Sequence, residues 1–431
     1  MIEQLYALFL KFPRISTDTR NIIPNSIFFA LKGGNFDGNT FAEEALKKGA
    51  RLAIIDNKEY RKDNTNYILV DDALKALQNL ANYHRQKLPA TFIGITGSNG
   101  KTTTKELIYA VLSSKYKTSA TKGNFNNHIG VPLTLLSITA DTEFGIVEMG
   151  ANHVGEIHEL SKISNPDYGI ITNIGKAHLE GFGGIEGVII GKTELYTHIS
   201  NKKASLFVNS DDDLLMDKSK NITRITYGNN QTADTVVSIL PSENFLSVVW
   251  NIKNQSSLEI NTQLVGEYNL ANIAAAICVG NYFNVPKEKI KEAIETYQPT
   301  NNRSQLIKKE KNTIILDAYN ANPKSMEFAI ESFRKNDYAN KVVILGDMLE
   351  MGKYSQDEHF SILKLLEHCA FESVFLVGKE FLNANHSSFS YTFFESTEKL
   401  TLHLKEKPLI NKTILIKGSR GIKLESILEY L

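Results

Sequence analysis

Apolar runs alternate with amphipathic helical patterns along the chain after Pro89. The first runs, rich in β-branched and aromatic residues, predict strands at residues 90–96, 144–149, 168–174 and 204–208. A helix is predicted directly after the first strand, over about residues 102–112. Strands that alternate with helices are typical of βαβ units, so the pattern predicts a parallel sheet.

The pattern changes twice further along the chain. Between residues 234 and 264 the apolar period becomes two, which suggests antiparallel strands attached to the parallel sheet, and a helix over about 267–282 closes this unit. A second alternating series then begins, with strands predicted at 313–318, 341–346, 373–377 and 413–417. The segment before Pro89, roughly 85 residues, is too short for a doubly wound sheet and predicts a separate small α/β lobe.

We therefore predict an α/β protein of three domains. The predicted ranges are 1–86 for a small N-terminal α/β lobe, 87–299 for a central parallel-sheet domain with added antiparallel strands, and 300–431 for a Rossmann-like α/β domain. A chain of 431 residues agrees with this division, because a domain usually has about 100 to 200 residues.

Composition narrows the classes of partner. The chain has 48 Lys plus Arg and 48 Asp plus Glu, so its formal charge is zero, which argues against a nucleic acid or an anionic membrane as the main partner but leaves room for a local basic pocket. No apolar stretch approaches the ~18 residues that cross a bilayer, and the start of the chain lacks a signal-peptide cleavage pattern.

Cys278 and Cys369 lie in apolar helical patterns, where buried inert thiols are expected. These observations predict a soluble cytoplasmic protein.

The strongest chemical signal is the segment 94–104, GITGSNGKTTT, between the first predicted strand and its helix. Glycines let backbone N–H groups surround phosphate oxygens, the helix N-terminus adds a positive dipole, and Lys101 adds a mobile cation. The loop is a variant, because the strict P-loop spacing needs Gly at Ile95. A glycine-rich turn that binds nothing is the alternative, but it leaves the Lys-Thr-Thr run at the helix start unexplained.

Two further residues follow strands of the same predicted sheet. Glu148 ends the strand 144–149, and a carboxylate there would complete a Mg²⁺ site with Thr102. His178 follows the strand 168–174 and is a second candidate ligand. From spacing alone, a solvated glutamate and a capping or packing histidine stay open as alternatives.

Several separate stretches then resemble one enzyme family. They are 18–20, 27–33 and 36–38 in the first domain, 123–132, 148–150 and 266–272 in the second, and 317–326, 345–352 and 417–420 in the third. With the loop T-G-S-N-G-K-T they resemble the Mur ligases, ATP-dependent amide-forming enzymes of peptidoglycan precursor synthesis. The third-domain stretches are similar to the branch that joins D-alanyl-D-alanine to UDP-N-acetylmuramoyl-tripeptide through an acyl phosphate. The resemblance thus implies a UDP-substrate-binding first domain and a central P-loop ATPase domain.

The resemblance also implies roles for single residues. For ATP they are Gly97, Ser98, Asn99, Gly100, Lys101, Thr102 and Thr103 in the loop, Asn269 and Asn272 at adenine, Asp317 at the ribose and Arg303 at the γ-phosphate. For two Mg²⁺ ions they are Thr102 and Glu148 at one and His178 at the other. For the UDP substrate they are Thr19, Arg20, Asn126 and Asn127, and for the dipeptide Asn320 and Asn322. The catalytic set is Lys101, Glu148, His178, Lys192 and Arg303. Without the resemblance, turn formation or capping would explain the asparagines.

Lys192 is implied to be an N-carbamylated lysine that faces magnesium. An ammonium near divalent cations is repelled, so its pKa falls and the neutral amine can react with CO₂. The alternative from sequence alone is a plain surface lysine on an amphipathic helix.

Four positions depart from the family pattern. They are Tyr268 and Asn39, where His is usual, Asn302, where Gly is usual, and segment 422–424, which lacks a common Met. None removes a charge or a metal ligand, so they concern adenine and uridine contacts.

Other functions stay open at this point. They are a Mur ligase that adds a diamino acid, a folylpolyglutamate synthase, and a nucleotide-regulated binding protein without ligase activity. A monomer is expected for a chain of three domains, and the third residue of the tripeptide stays open between diaminopimelate and lysine.

Overall fold

The computed structural model describes residues 1–242, 244–251, 256–300, 302–385 and 389–431. Within these ranges, three mainly parallel sheets with flanking helices follow one another along the chain, which confirms the predicted α/β class. In the same ranges, no helix is both long enough and apolar enough to cross a membrane.

The first lobe contains a parallel sheet and a small hairpin. Its strands are β1 (Ile15–Ser16), β2 (Ile27–Phe29), β3 (Lys32–Gly33), β4 (Phe36–Asp37), β5 (Leu52–Ile55) and β6 (Tyr67–Leu69). The sheet order is β1-β2-β5-β6, all parallel, and β3 pairs with β4 antiparallel. Its helices are α1 (Ile2–Lys11), α2 (Ala42–Lys47) and α3 (Ala73–Lys87).

Helix α3 connects the first lobe to the second. It packs on α1, and its polar side chains reach backbone and side-chain groups of the central lobe. The Gln78 amide donates to the His128 carbonyl at 3.0 Å, and the Arg85 guanidinium donates to the Asp167 carboxylate at 2.7 Å. These buried contacts fix one wall of the space between the two lobes.

The central lobe is built on one long sheet. Its strands are β7 (Thr91–Thr96), β8 (Thr118–Ala120), β9 (Phe144–Glu148), β10 (Tyr168–Ile171), β11 (Ser205–Asn209), β12 (Arg224–Gly228), β13 (Thr235–Leu240), β14 (Ser247–Asn251) and β15 (Leu258–Asn261). The order is β15-β14-β13-β12-β11-β10-β7-β9-β8, parallel except for the antiparallel pairs of β14 with β13 and β15. The period-two segment therefore does form antiparallel strands on a parallel sheet.

Helices cover both faces of this sheet. They are α4 (Lys101–Ser113), α5 (Gly130–Leu136), α6 (Glu156–Ser164), α7 (Leu179–Phe182), α8 (Ile185–Asn201), α9 (Asp213–Lys218), α10 (Leu270–Tyr282) and α11 (Lys287–Thr296). Helices α4, α10 and α11 bury one apolar face of the sheet.

Burial also raises the pKa of the Cys278 thiol in α10 to about 12, so this cysteine is the inert thiol expected. Cys369 is half-buried, and both cysteines are free.

The third lobe is a second mainly parallel sheet. Its strands are β16 (Gln305–Lys308), β17 (Asn312–Asp317), β18 (Lys341–Gly346), β19 (Ser373–Val377), β20 (Thr392–Phe394) and β21 (Lys412–Lys417). The order is β16-β17-β21-β18-β19-β20, with only the pair β16–β17 antiparallel among these described strands. Its helices are α12 (Pro323–Lys335), α13 (Ser355–Glu367), α14 (Lys379–Ala384) and α15 (Thr397–Glu406).

Candidate active site

The glycine-rich loop runs from the end of β7 to the start of α4. Gly97 has φ +143° and Gly100 has φ +78°, a region that favours glycine. A Cβ at Gly97 would lie 2.0 Å from the Thr172 hydroxyl oxygen, which itself donates to the Asn99 carbonyl at 2.6 Å. Both the backbone conformation and this close approach require glycine at position 97.

The end of β10 holds the loop in place. The Ser98 N–H donates to the Asn173 carbonyl at 2.9 Å, and the Asn99 N–H donates to the Asn173 side-chain oxygen at 3.0 Å. The Ser98 hydroxyl adds a bond to the Gly175 carbonyl at 3.0 Å. Helix α4 begins just beyond, at Lys101, one residue before the predicted start, so its first N–H groups form an anion-binding helix end.

Lys101 lies across the loop. Its ammonium donates to the carbonyls of Gly97, at 2.6 Å, and Ser98, at 3.3 Å. Burial lowers the pKa of Lys101 to about 8, with Glu148 opposing this shift and the nearby Arg303 adding to it. The ammonium is thus an incompletely balanced positive charge in the glycine-rich loop.

Glu148 ends β9 and is only 1% exposed. Its Oε1 accepts from the Thr102 hydroxyl at 3.1 Å and from the Asn126 amide at 2.9 Å. Its Oε2 is buried without a hydrogen-bond partner among the described residues. A hydroxyl and an uncommitted carboxylate oxygen are the hard donors that Mg²⁺ takes, so this pair fits one metal ion. No cluster of three or more His, Cys, Asp or Glu side chains accompanies it in the described ranges, so phosphate and water oxygens would supply its other ligands.

Lys192 is fully buried in α8, which rules out a plain surface lysine. Its amine donates to the Ala151 carbonyl at 3.1 Å and lies 5.1 Å from the centre of the Phe182 ring. Burial, reinforced by the charge of Lys101, holds the pKa of Lys192 well below its ordinary value. A neutral amine is the form that carbamylation requires.

His178 follows β10 and meets the third lobe. It adopts φ +53°, an uncommon conformation for a non-glycine residue. Its Nδ1 is hydrogen-bonded to the carboxylate of Glu350, and this bond is the main cause that lowers the pKa of Glu350. A carboxylate on one ring nitrogen is the usual partner of a metal-binding histidine, which leaves Nε2 for a ligand.

The third lobe brings further charge to the same space. The guanidinium of Arg303 stacks on the Tyr319 ring at 3.8 Å, and its Nε is buried without a hydrogen-bond partner among the described residues. The carboxylate of Asp317 accepts from the Lys417 ammonium at 2.6 Å and from the Ser304 N–H at 3.3 Å. Sequence reasoning missed Tyr319 and Lys417 as single residues, although both lie in the stretches that carried the resemblance.

The predicted asparagines are engaged in different ways. Asn272 accepts from the Thr104 hydroxyl at 2.9 Å and donates to Asn269 at 2.9 Å, so these two buried amides bind each other. Asn322 caps α12, as the turn-or-cap alternative expects, and its amide also donates to Asn99 across the lobe boundary at 2.7 Å. Asn127 likewise accepts two backbone N–H groups of its own turn.

A cavity of about 940 Å³ lies where the three lobes meet. The predicted residues that line it are Ser98, Asn99, Gly100, Lys101, Thr102, Thr103, Asn126, Asn127, Glu148, His178, Asn269, Asn272, Arg303, Asp317 and Asn320. The predicted residues outside its lining are Thr19, Arg20, Gly97, Lys192 and Asn322. Arg20 instead pairs with Asp18 on the surface of the first lobe at 2.6 Å. Gly97 and Asn322 contact lining residues, whereas Thr19 and Arg20 are not brought to the cavity.

Comparisons with known proteins agree with this arrangement. The chain matches the profiles described as Mur ligase family, catalytic domain, over residues 11–85, Mur ligase middle domain over 95–280, and Mur ligase, glutamate ligase domain over 302–420. It is 36% identical to a UDP-N-acetylmuramoyl-tripeptide–D-alanyl-D-alanine ligase of Bacillus subtilis, over 97% of this chain and 92% of that protein. The corresponding ligase of Escherichia coli is 31% identical over 97% and 93%.

Solved structures show similarity to the same group of ligases. A MurF structure from Acinetobacter baumannii superposes with a TM-score of 0.87 at 30% identity, covering 96% of this chain and 92% of that one. The MurF ligase of Thermotoga maritima in complex with ADP gives 0.85 at 27% identity, covering 98% and 97%. The resemblance seen in the sequence is confirmed, and the chain belongs to the Mur ligase family.

Proposed function

We propose that this protein is an ATP-dependent ligase of the MurF type. It joins D-alanyl-D-alanine to UDP-N-acetylmuramoyl-tripeptide, the last cytoplasmic step of peptidoglycan pentapeptide precursor synthesis. The observation that carries the proposal is the three-lobe cavity, whose lining includes Lys101 of the central lobe and Arg303 of the third lobe. Two positive charges from separate lobes suit a reaction between two anions.

ATP is the substrate with the strongest support. The loop provides helix N–H groups and Lys101 for the phosphates, and a related MurF ligase was solved in complex with ADP. Asp317 lies across the cavity at the end of β17, where a carboxylate can accept from ribose hydroxyls. Asn269 and Asn272 form the wall next to Gly100 and are proposed to face adenine.

The first step moves the γ-phosphoryl group of ATP onto the terminal carboxylate of the tripeptide. A carboxylate oxygen forms the new bond to phosphorus, the bond to the β-phosphate oxygen breaks, and ADP leaves. Both reacting groups are anionic, so Lys101 and Arg303 lower the barrier by neutralising charge as it concentrates between them.

The second step forms the amide. The dipeptide amine attacks the acyl-phosphate carbonyl, the new C–N bond forms, the C–O bond to phosphate breaks, and the nitrogen loses a proton. No nucleophilic side chain is needed. Positioning of the two substrates in line supplies up to ~7 to 11 kcal/mol of the rate enhancement, and closure of the three lobes around the substrates would keep water from the acyl phosphate.

The metal and the modified lysine belong to the proposal. Thr102 and Glu148 would hold one Mg²⁺, and His178, oriented by Glu350, would hold a second. When bound, Mg²⁺ neutralises phosphate oxygens as a Lewis acid. Lys192 as a carbamate would carry a negative charge in place of its buried amine, and its lowered pKa, which favours the neutral amine, supports this chemistry.

The remaining assignments are proposed on the resemblance. Thr19 and Arg20 bind the uridine diphosphate end, Asn126 and Asn127 the muramoyl portion, and Asn320 and Asn322 the dipeptide. We also keep as predictions the domain limits 1–86, 87–299 and 300–431, a monomeric state and a cytoplasmic location.

One reaction series tests the function. The protein is incubated with ATP, Mg²⁺ and UDP-N-acetylmuramoyl-tripeptide, with D-alanyl-D-alanine, with a diamino acid, or with neither, and phosphate release is measured. We expect sustained release, one phosphate per amide bond, only with D-alanyl-D-alanine. Release that follows the diamino acid would assign the protein to another ligase reaction, and no release under any condition would indicate a nucleotide-binding protein.

A further inference from the structure

A second lysine of helix α4 is buried and has no role in the proposed reaction. Lys105 has a fully buried side chain, and its ammonium donates to the Thr121 carbonyl at 2.7 Å. It lies 2.8 Å from the nearer carboxylate oxygen of Glu106 and 3.8 Å from Oε2 of Glu148. Both distances are within ion-pair range, so this ammonium faces two carboxylates.

Lys105 and Thr102 approach Glu148 from the same helix face, because residues three apart on a helix are neighbours. The Thr102 hydroxyl donates to Oε1, whereas the Lys105 ammonium lies beside Oε2. In the described part of the chain Oε2 accepts no hydrogen bond, so its interaction with Lys105 is one of charge alone. This is the oxygen that stays available to a metal ion.

The charge of Glu148 needs a partner, because a buried carboxylate without an opposite charge is strongly disfavoured. The Glu106 side chain is 35% exposed, so water screens its interaction with Lys105, whereas the Glu148 side chain is 2% exposed. Lys101 is the other ammonium nearby, but its hydrogen bonds go to the carbonyls of Gly97 and Ser98. Lys105 is thus the positive charge fixed beside Glu148.

We propose that Lys105 is a positioning residue whose ammonium is the counter-charge of the Glu148 carboxylate when no metal is bound. It thereby keeps the magnesium site assembled, and its positive charge opposes the binding of Mg²⁺ that arrives without a nucleotide. The divalent ion then enters together with the phosphates of the nucleotide, whose negative charges offset this opposition. The counter-charge rests on the contacts above, and the order of metal entry rests on the proposed function, in which Glu148 binds Mg²⁺.

A double-mutant cycle tests the counter-charge in EDTA, without metal or nucleotide. Lys105→Met, Glu148→Gln and the double variant of the full chain are unfolded with urea. We expect Lys105→Met to destabilise the wild type more than the Glu148→Gln background, since an amide needs no counter-charge and only the contacts with Thr121 and Glu106 are lost there. The coupling should change the unfolding equilibrium constant by about tenfold. Additive losses would mean that Lys105 only fills space, and would overturn the proposal.

Glu106 provides the matched control. The same cycle with Glu106→Gln should give a smaller coupling, because that carboxylate is partly exposed. A coupling carried by Glu106 rather than Glu148 would overturn the proposal. If Lys105→Met does not fold in EDTA, Lys105→Gln, which keeps a hydrogen-bond donor for Thr121, replaces it in both cycles.

Metal entry is tested with Mn²⁺ alone, by electron paramagnetic resonance of the free ion. Lys105→Met should bind Mn²⁺ about tenfold more tightly than the wild type, because a competing positive charge is gone. Unchanged or weaker binding would overturn the order of metal entry. The ligase activity of the wild type distinguishes the two proposals. If the wild type is active but Lys105→Met binds Mn²⁺ no more tightly, this inference is wrong. If the double-mutant cycle shows charge coupling but the wild type has no ligase activity, the proposed function is wrong.

Discussion

Single residues decide how much positive charge the cavity holds. Burial brings the pKa of Lys101 to about 8, so the ammonium is still mostly charged near neutral pH, but in surroundings that solvate it poorly. A bound phosphate group would stabilise the buried ammonium in place of water, and the attraction between them would strengthen as negative charge develops on the phosphate. The same reasoning makes the loop a poor site for a neutral ligand.

We expect Lys101→Met to lower kcat/KM for ATP by about 10²- to 10³-fold, because one preorganised charge is worth ~3 to 4 kcal/mol in a transition state. Phosphate release at limiting ATP measures it. Lys122→Met, which removes an exposed lysine outside the cavity lining, is the control and should behave as wild type. A loss of less than threefold in Lys101→Met would show that the loop lysine does not act on the phosphates.

Some residues of the site could not be found from sequence. Lys105 sits in an ordinary helical pattern, and only folding shows that its ammonium ends beside Glu148. Lys192 was named through the family resemblance, whereas the helical pattern alone suggested an exposed lysine that the structure shows to be buried. Lys101 and Thr102 were predictable, because a strand-loop-helix junction fixes their positions through local geometry alone.

At the scale of elements, the turn between β7 and α4 sets the site. Its shape depends on Gly97, because both the positive φ of this residue and its close approach to the Thr172 hydroxyl disfavour a side chain there. The same turn is hydrogen-bonded to Asn173 just after β10, so a change in its shape would displace the N-terminal end of α4.

Gly97→Ala should therefore destabilise the protein by about 1 to 3 kcal/mol and weaken ATP binding in parallel. Urea unfolding and calorimetry measure the two effects. Gly123→Ala is the matched control, because it also has positive φ, +54°, but a Cβ there meets nothing within 4 Å. Equal losses in the two variants would contradict the importance of the contact with Thr172.

A buried histidine stabilises the segment between β18 and α13, which carries Glu350. His359 is fully buried, its Nε2 accepts from the Met348 N–H at 3.0 Å, and its Nδ1 donates to the Ser355 carbonyl at 2.7 Å. Burial lowers the pKa of His359 below its ordinary value, so the folded state disfavours protonation of this ring.

The sign of the pH effect follows from that shift. Below about pH 6.5 the unfolded chain takes up a proton that the folded ring resists, so the free energy of unfolding falls as the pH falls. We expect His359→Gln to flatten this slope between pH 7 and 5 in urea titrations. The surface substitution His368→Gln should leave the slope unchanged, and equal slopes in both variants would contradict the assignment.

Element prediction succeeded where strands are buried on both faces. The strands at 341–346 and 373–377 were predicted with their observed bounds, because continuous apolar runs mark them. After Pro89 the pattern missed β8, β12, β16 and β20. Three of these lie at sheet edges, and β8 and β20 have three residues each, too few to show a period.

At the scale of the whole molecule, the lobes complete one another. Glu350 of the third lobe pairs with His178, and Glu358 accepts from Lys176 at 2.5 Å, so the loop after β10 is bound by the third lobe at two points. These partners are more than 170 residues apart in sequence, and no local pattern predicts them. The arrangement places Arg303 in the lining of the same cavity as Lys101.

Arg303→Met should lower kcat by about 10²- to 10³-fold with a smaller change in ATP affinity, because the third lobe acts mainly on the charge that develops during transfer. Single-turnover phosphate release and nucleotide titration separate the two quantities. Arg334→Met removes an exposed arginine of the same lobe, paired with Glu331, and should retain wild-type turnover. Unchanged turnover in Arg303→Met would contradict catalysis shared between lobes.

The most direct measurement follows one oxygen atom. UDP-N-acetylmuramoyl-tripeptide is labelled with ¹⁸O in its terminal carboxylate and converted with ATP and D-alanyl-D-alanine, and the released phosphate is analysed by mass spectrometry. If the two anions meet in the cavity and form an acyl phosphate, each phosphate carries one oxygen from the carboxylate. Phosphate without ¹⁸O would show that ATP is hydrolysed without contact between these groups.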